Sequence, residues 1–170
     1  MQPHLGDRVF VAETATIIGD VTIGDDASIW YGAVVRGDVF RIRIGARTNV
    51  QDNCTLHVTS GTWPVVIEDE VTIGHGVIAH GCTLRRGSLI GMGSRVLDGA
   101  VVGEMALVGA GALVPEGMRV PPRTLVLGVP ARVKRDLMPE ELARLDDSWR
   151  HYVELKDAYL KDEGGRMKDE

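Results

Sequence analysis

The fold is decided by the stretch Ile78-AHGCT-Leu84-RRGSL-Ile90-GMGSR-Val96-LDGAV-Val102-GEMAL-Val108-GAGAL-Val114, in which an aliphatic residue returns at every sixth position. A period of six matches neither the 3.6-residue turn of a helix nor the alternation along one strand. It fits short strands that each end in a tight turn, with the aliphatic side chain inside a narrow prism. A small residue four positions later, such as Ser88 or Ala100, fits the crowded corner. Three strands make a coil of 18 residues, so the pattern predicts an all-β parallel β-helix.

The same period runs upstream, with three slips. Three residues are inserted near Asp38–Arg41, and five are inserted near Thr59–Val65. The second insertion predicts a loop that projects from a corner. From Ile73 to Ile78 the spacing is five, a contraction of one residue. The upstream positions in phase are Ile17, Ile23, Ile29, Val35, Ile44, Val50, Leu56 and Ile67.

After Pro115 the repeat is predicted to end in a proline-rich connector. Pro139 suits the first position of a helix, which we expect to pack along the prism through one apolar face. The predicted organisation is a β-helix with connector over residues 1–132 and a helix with tail over 133–170, frayed from Gly164 onward. The predicted apolar face comprises Leu142, Leu145, Trp149, Tyr152 and Tyr159.

Composition and charge exclude several classes of function. The net charge of −5 argues against nucleic-acid binding. No apolar run is long enough to cross a membrane, and the first ten residues lack a signal-peptide pattern. Cys54 and Cys82 form no metal-type or redox-type pair and fit the core positions of the repeat. A reducing cytoplasm is the expected compartment.

Three of the five histidines lie inside the coil. With the insertions removed, Arg36, His57 and His80 are each one coil apart and should stack in one column. His75 is five residues before His80, about 16 Å away on extended backbone. A zinc–nitrogen bond is about 2.1 Å, so one metal could join all three histidines only between the subunits of a threefold assembly. The spacing therefore favours a shared metal site over three ordinary surface histidines, without excluding the latter.

Four segments resemble the γ-class carbonic anhydrase family: Val35–Asp38, Asn49–Asn53, Leu56-His57 and Ile73–Cys82. The resemblance implies a homotrimer with Zn, or alternatively Fe or Co, at each subunit interface. His57 and His80 would come from one subunit and His75 from the next. The left hand of the coil also follows from resemblance, here to hexapeptide-repeat proteins.

The resemblance also implies a reaction, the reversible hydration of CO2 to bicarbonate by a metal hydroxide that acts as the nucleophile. Gln51 resembles the residue that hydrogen-bonds the hydroxide, and Asn49 resembles its helper. Arg36 and Asp38 resemble a pair that bridges subunits.

Two departures from the family pattern concern proton transfer. Val39 stands where the prototype has a Glu, and Thr59–Thr62 replaces an acidic loop. Slow turnover is therefore expected. Glu68 and Tyr159 are candidates for the missing proton-transfer group.

Three other functions remain open at this point. Hexapeptide-repeat acyltransferases share the prism but rely on one catalytic His and a coenzyme A site. A metal-dependent thioesterase would use the same three histidines. A non-catalytic scaffold subunit would tolerate the missing acidic residues. Metal content separates the transferase from the other options.

Overall fold

The computed structural model describes residues 2–162, and over this range the chain is a parallel β-helix with one helix alongside. Nearly all strand pairs are parallel, and each strand pairs with the strand one coil before it. The predicted fold class is confirmed, and the arrangement is that of a left-handed β-helix of hexapeptide repeats. The strands are β1 (His4–Leu5), β2 (Phe10–Val11), β3 (Thr16–Ile23), β4 (Ser28–Ile29), β5 (Val34–Ile44), β6 (Asn49–Val50), β7 (Thr55–His57), β8 (Val65–Ile67), β9 (Thr72–Ile73), β10 (Ile78–His80), β11 (Thr83–Leu84), β12 (Leu89–Ile90), β13 (Arg95–Val96), β14 (Val101–Val102), β15 (Leu107–Val108), β16 (Leu113–Val114), β17 (Arg119–Val120), β18 (Thr124–Leu127) and β19 (Arg132–Asp136).

The strands form the three faces of a prism. One face carries β7, β10, β13 and β16, a second carries β8, β11, β14 and β17, and the third runs from β2 to β18. The strands β3 and β5 are long enough to continue from the first face to the second, so these two faces form one 11-stranded sheet. Short strands arise because each aliphatic residue is followed within a few residues by a turn.

The interior of the prism is filled by the in-phase aliphatic residues. Val35, Leu56, Leu84 and Ile90 are fully buried, as are the small corner residues such as Ala100. Burial of one such aliphatic side chain contributes about 1.5–3 kcal/mol. The repeat is therefore a stack of interior layers, and it holds the corner side chains at fixed intervals of one coil.

One register assignment from the sequence is wrong. Ile78 is 38 % exposed, whereas Ala79 is fully buried and lies opposite Leu56 in the ladder. The contraction of one residue therefore falls between Ala79 and Leu84. Gly81 lies at this corner with φ +54°, a left-handed conformation that lets glycine tighten the turn at little steric cost.

The coil extends further at both ends than the sequence analysis predicted. At the start, β1 pairs with β3, so His4, one of the two histidines that the sequence placed outside the coil, belongs to it. Beyond Pro115, β17 and β18 pair in parallel with β14 and β15, and β19 closes the end with an antiparallel pairing. Val120 and Val126 keep the six-residue phase and are buried. The prolines between them lie at a corner and do not interrupt the ladder. The predicted boundary at 132/133 falls within β19.

The two insertions differ in form. Asp38–Arg41 is not a loop, because β5 runs through it from the first face to the second. The five-residue insertion is the predicted projecting loop, closed by an antiparallel bridge between Thr59 and Trp63.

Helix α1 (Pro139–Lys161) has Pro139 at its first position, as predicted. It packs on the third face through Leu145 and Trp149, while Lys156 is also fully buried. Lys156 Nζ is 2.8 Å from Asp26 Oδ1, and this ion pair ties the helix to the coil. The predicted frayed tail lies outside the described residues. Between residues 2 and 162, no helix combines the length and apolar character that crossing a membrane requires.

Candidate metal centre

The prism has three edges, and the predicted site residues are divided among them. We call the edge after β7 and β10 the pair corner, because it carries His57 and His80. The edge after β6 and β9 is the His75 corner. The edge after β8 and β11 is the third corner. Each corner repeats once per coil, so side chains at the same corner stack in a column.

The pair corner confirms the coil arithmetic. Arg36 is paired with His57, and His57 is paired with His80, in neighbouring strands. The two imidazole rings have centroids 5.1 Å apart, about one strand spacing. His57 Nδ1 lies 3.1 Å from His80 Nε2. The two rings therefore direct one nitrogen each to a common point.

The other nitrogen of each ring contacts a carboxylate. His57 Nε2 lies 3.2 Å from Asp38 Oδ1, and His80 Nδ1 lies 2.5 Å from Asp98 Oδ1. Because an ionised carboxylate only accepts hydrogen bonds, these contacts favour an N–H on His57 Nε2 and on His80 Nδ1. A neutral imidazole carries one N–H and one lone pair. When both N–H groups are directed to carboxylates, the two nitrogens that face each other both carry lone pairs.

Two lone pairs 3.1 Å apart repel each other unless a cation lies between them. A metal bound tetrahedrally at about 2.1 Å from two nitrogens would separate them by about 3.4 Å. The observed separation is close to this value. A histidine with a carboxylate on its outer nitrogen is also the usual form of a metal ligand. The pair therefore fits two positions of a metal site.

Asp38 links Arg36 to the pair. The Arg36 guanidinium is 2.6 Å from Asp38 Oδ2, while the other carboxylate oxygen accepts the hydrogen bond from His57. The hydrogen bond from Arg36 is the main cause of the lowered pKa of Asp38. Asp38 therefore stays ionised beside His57. The bridging role between subunits that the sequence suggests for Arg36 and Asp38 stays a prediction.

Sequence reasoning missed Asp98. It follows His80 by 18 residues, but the contraction after Ala79 shortens this coil to 17, so Asp98 lies one residue past the position opposite His80 in the ladder. Only the side-chain contact assigns Asp98 to His80. Burial raises the pKa of Asp98, but hydrogen bonds from Thr59 and His80 outweigh this and lower it overall. The Asp98 carboxylate is therefore ionised and acts as the hydrogen-bond acceptor for His80.

His75 lies on a different corner from the pair. Its Nδ1 is 2.9 Å from Asp52 Oδ2, and its side chain is 49 % exposed. Asp52 stacks one coil before His75. Within residues 2–162 of a single chain, no three His, Cys, Asp or Glu side chains converge as a metal site. His75 thus offers an exposed nitrogen with a carboxylate on its inner one, but does not meet His57 and His80 within the chain.

A chain of two hydrogen bonds, from Gln51 to Asn49 on β6 and on to Thr72 on β9, fixes the side chain of Gln51. Asn49 Nδ2 donates to Thr72 Oγ1 at 3.1 Å, and Gln51 Nε2 donates to Asn49 Oδ1 at 3.1 Å. Both amides are buried. One N–H of the Gln51 amide donates to Asn49, which fixes the orientation of the amide, and Oε1 is the atom that can accept a hydrogen bond from a ligand. Asn49 therefore orients the Gln51 side chain, and the catalytic roles predicted for both residues stay predictions.

Gln51 and His75 line the same groove on the third face. Its volume is about 520 Å³, and its other walls are mostly aliphatic, including Leu89, Leu107 and Leu125. Two of the predicted site residues are therefore on one side of the molecule, and the histidine pair is on another.

The candidates for proton transfer are not brought to either histidine corner. Glu68 lies on the third corner, where it accepts hydrogen bonds from the Arg85 side chain and the Arg86 backbone. The Tyr159 ring packs edge-on against Trp30 at 5.2 Å under helix α1. Their predicted role stays a prediction, without a contact to the histidines.

Comparison with known proteins adds independent findings. Residues 2–37 match the family model described as "Bacterial transferase hexapeptide (six repeats)". The chain is 54% identical to the Methanocaldococcus jannaschii protein named "Probable carbonic anhydrase", over 90% of this chain and 96% of that protein. It is 44% identical to "Gamma carbonic anhydrase 1, mitochondrial" of Arabidopsis thaliana, over 92% of this chain and 59% of that one.

A solved structure is similar over nearly the whole length. The hexapeptide transferase family protein from Anaplasma phagocytophilum superposes with a TM-score of 0.89 at 43% identity, covering 92% of each chain. Proteins named as anhydrases and as transferases therefore both occur among the relatives of this chain, and the side chains of the site must distinguish the two functions.

Proposed function

Because this chain belongs to the γ-class carbonic anhydrase-like family, we propose that it catalyses the reversible hydration of CO2 to bicarbonate at a metal site. The single observation that carries this proposal is the histidine pair, in which Nδ1 of His57 faces Nε2 of His80 at 3.1 Å while a carboxylate lies at the other nitrogen of each ring. A transferase that needs one catalytic His has no use for such a pair. Asp38 and Asp98, at the outer nitrogens of the two imidazoles, also favour a metal site over a transferase site.

His57, His80 and the partner's His75 would hold the metal, for which zinc is our proposal, with iron or cobalt as alternatives. Three imidazoles leave one position open for water, the donor set of a catalytic zinc site. When bound, such a metal lowers the pKa of its water to about 7, a value known from carbonic anhydrase itself. Neutral imidazoles are required, and the carboxylates of Asp38 and Asp98 each hold the N–H away from the metal side.

Gln51 would act on the attacking hydroxyl. Its amide nitrogen is held by Asn49, so Oε1 can accept the hydroxyl hydrogen and turn a lone pair toward CO2. The aliphatic walls of the groove beside Gln51 suit an apolar substrate. Thus Asn49 and Gln51 would orient the nucleophile, and the groove would give CO2 access to it.

The site requires more than one copy of the chain, because His75 and the histidine pair lie on different corners. Closed threefold symmetry would bring the His75 corner of one subunit to the pair corner of the next. We therefore propose a homotrimer with one metal at each interface. Arg36 and Asp38 lie on the pair corner, where an assembly role is compatible with their contact to His57.

The direct test measures metal content and CO2 hydration in the same preparation. We expect close to one divalent metal per chain after purification without a His tag, and stopped-flow CO2 hydration that a chelator removes. Gln51→Ala should keep the metal but lower kcat/KM about tenfold to a hundredfold, because a hydrogen bond to a charged group contributes about 1.5–3 kcal/mol. Gln2→Ala, an exposed site in the same chain, is the matched control.

Each alternative function predicts a different result. A fully metallated trimer without CO2 hydration would refute the activity and direct attention to thioester substrates or to a scaffold role. A metal-free protein after gentle purification would refute the metal site and favour the acyltransferase. An active enzyme indifferent to Gln51→Ala would refute the role of that residue only.

A further inference from the structure

The five-residue insertion after β7 has no place in the proposed reaction so far, yet it contacts the histidine pair through one carboxylate. Asp98 Oδ1 accepts the hydrogen bond from His80, and Asp98 Oδ2 accepts one from Thr59 Oγ1 at 2.5 Å. We propose that Thr59 and Asp98 are positioning residues that fix His80 in the tautomer and orientation needed to bind the metal. This inference rests on the metal site proposed above.

The carboxylate of Asp98 is held from two sides. Each of its oxygens has one donor, and the two donors come from different segments of the chain, the His80 corner and the insertion. Its side chain is 22 % exposed. Rotation of the carboxylate would break both hydrogen bonds, so Thr59 limits the directions in which Asp98 can hold the imidazole.

The insertion is itself anchored. Thr59 and Trp63 exchange two backbone hydrogen bonds, of 3.1 and 3.2 Å. The Trp63 ring lies over Gly99, where an added Cβ would be 3.1 Å from the ring. Gly99 directly follows Asp98, so the ring packs beside the carboxylate. The loop therefore places the Thr59 hydroxyl at a fixed position next to Asp98.

The consequence for His80 follows from its two tautomers. With Asp98 as acceptor, the proton stays on Nδ1, and Nε2 keeps the lone pair that faces His57. Without that acceptor, neutral imidazole can move its proton to Nε2 and can rotate. Loss of such an outer partner lowers metal affinity about 10-fold to 100-fold in other metal sites.

The test compares four variants of the full-length protein. Asp98→Ala removes the acceptor, and Glu116→Ala removes an exposed carboxylate at the same corner one coil further along. Thr59→Val removes the hydroxyl at nearly constant shape, whereas Thr59→Ser keeps the hydroxyl and removes only the methyl group. The first readout is the zinc dissociation constant, from competition with a chromophoric chelator. The second is the tautomer of His80 in the zinc-free protein, from the nitrogen chemical shifts of its imidazole.

We expect Asp98→Ala to weaken zinc binding about 10-fold to 100-fold and to move the His80 proton toward Nε2. Glu116→Ala should match the wild type. Thr59→Val should change both readouts in the same direction as Asp98→Ala but by a smaller amount. Thr59→Ser should match the wild type in both readouts.

The proposal is overturned if Asp98→Ala binds zinc as tightly as Glu116→Ala, or if its His80 keeps the Nδ1 proton. Should Asp98→Ala fail to fold, the Thr59→Val and Thr59→Ser pair decides on the same two readouts. Neither readout depends on CO2 hydration. An inactive enzyme with these shifts would refute the proposed activity and leave the positioning role standing.

Discussion

Mixing two inactive variants tests whether the metal site is shared between subunits. His75→Ala removes the ligand on one corner, and His57→Ala removes a ligand on another. Alone, each variant should bind metal poorly, because every interface in its trimer lacks one imidazole. When the two are unfolded and refolded together in equal amounts, some interfaces will combine an intact His75 with an intact pair.

The expected recovery can be calculated from the geometry. His57 and His80 face each other within one chain, so they act as one donor, and His75 is the other donor. An interface is intact only if the first subunit has its pair and the second has its His75. For random association both conditions hold in about one half of cases each, so about one quarter of the sites recover in a closed trimer.

The assay is bound metal per chain after gel filtration, followed by CO2 hydration on the same fraction. The control mixes His57→Ala with His80→Ala, which both damage the pair. No interface can then have an intact pair, and nothing should recover. Equal assembly of the variants is checked from the proportions of tagged and untagged chains in the trimer peak.

Two results would refute the reasoning. No recovery from the first mixture would show that one chain supplies all three ligands, which would overturn the assignment of His75 to a separate corner. Recovery in the control mixture would show that His57 and His80 bind the metal from different subunits.

Three further predictions concern stability and proton transfer. Arg8 holds the pKa of Asp26 down at about 2, against the opposing effect of burial, so this carboxylate stabilises the fold above pH 4. We expect the unfolding free energy to fall by about 2 kcal/mol as the pH falls from about 4 to about 2. Urea titrations at a series of pH values measure this loss, and the Asp26→Asn variant should not show it. Leu84→Ala should cost about 2–5 kcal/mol, because its side chain fills the prism. The half-exposed Leu160 is its control, and an equal cost for Leu160→Ala would contradict the layered core. Glu68→Gln should leave CO2 hydration in dilute buffer unchanged, because this carboxylate is paired with arginine on the third corner; a loss that added imidazole rescues would instead make Glu68 the proton-transfer group.

The sequence by itself was sufficient for the coil and for the column of Arg36, His57 and His80. Both depend only on counting, since a stack of 18-residue coils converts a spacing along the chain into a position in space. Counting does not find Asp98, because the contraction after Ala79 places it one residue past the ladder position of His80. Val120 and Val126 continue the six-residue period in the sequence. The prolines between them nevertheless favoured a connector, because proline has no backbone N–H to donate to a strand ladder.

Only the tertiary structure decided which way each side chain points and what it meets there. Ile78 and Ala79 are neighbours and both apolar, so periodicity alone could not tell which one faces the interior; the ladder pairing with Leu56 did. The buried ion pair of Lys156 with Asp26 joins residues 130 positions apart, and no local sequence pattern predicts it. Counting places backbone atoms, whereas tautomers, hydrogen bonds and ion pairs depend on the rotamers that the packed neighbours allow.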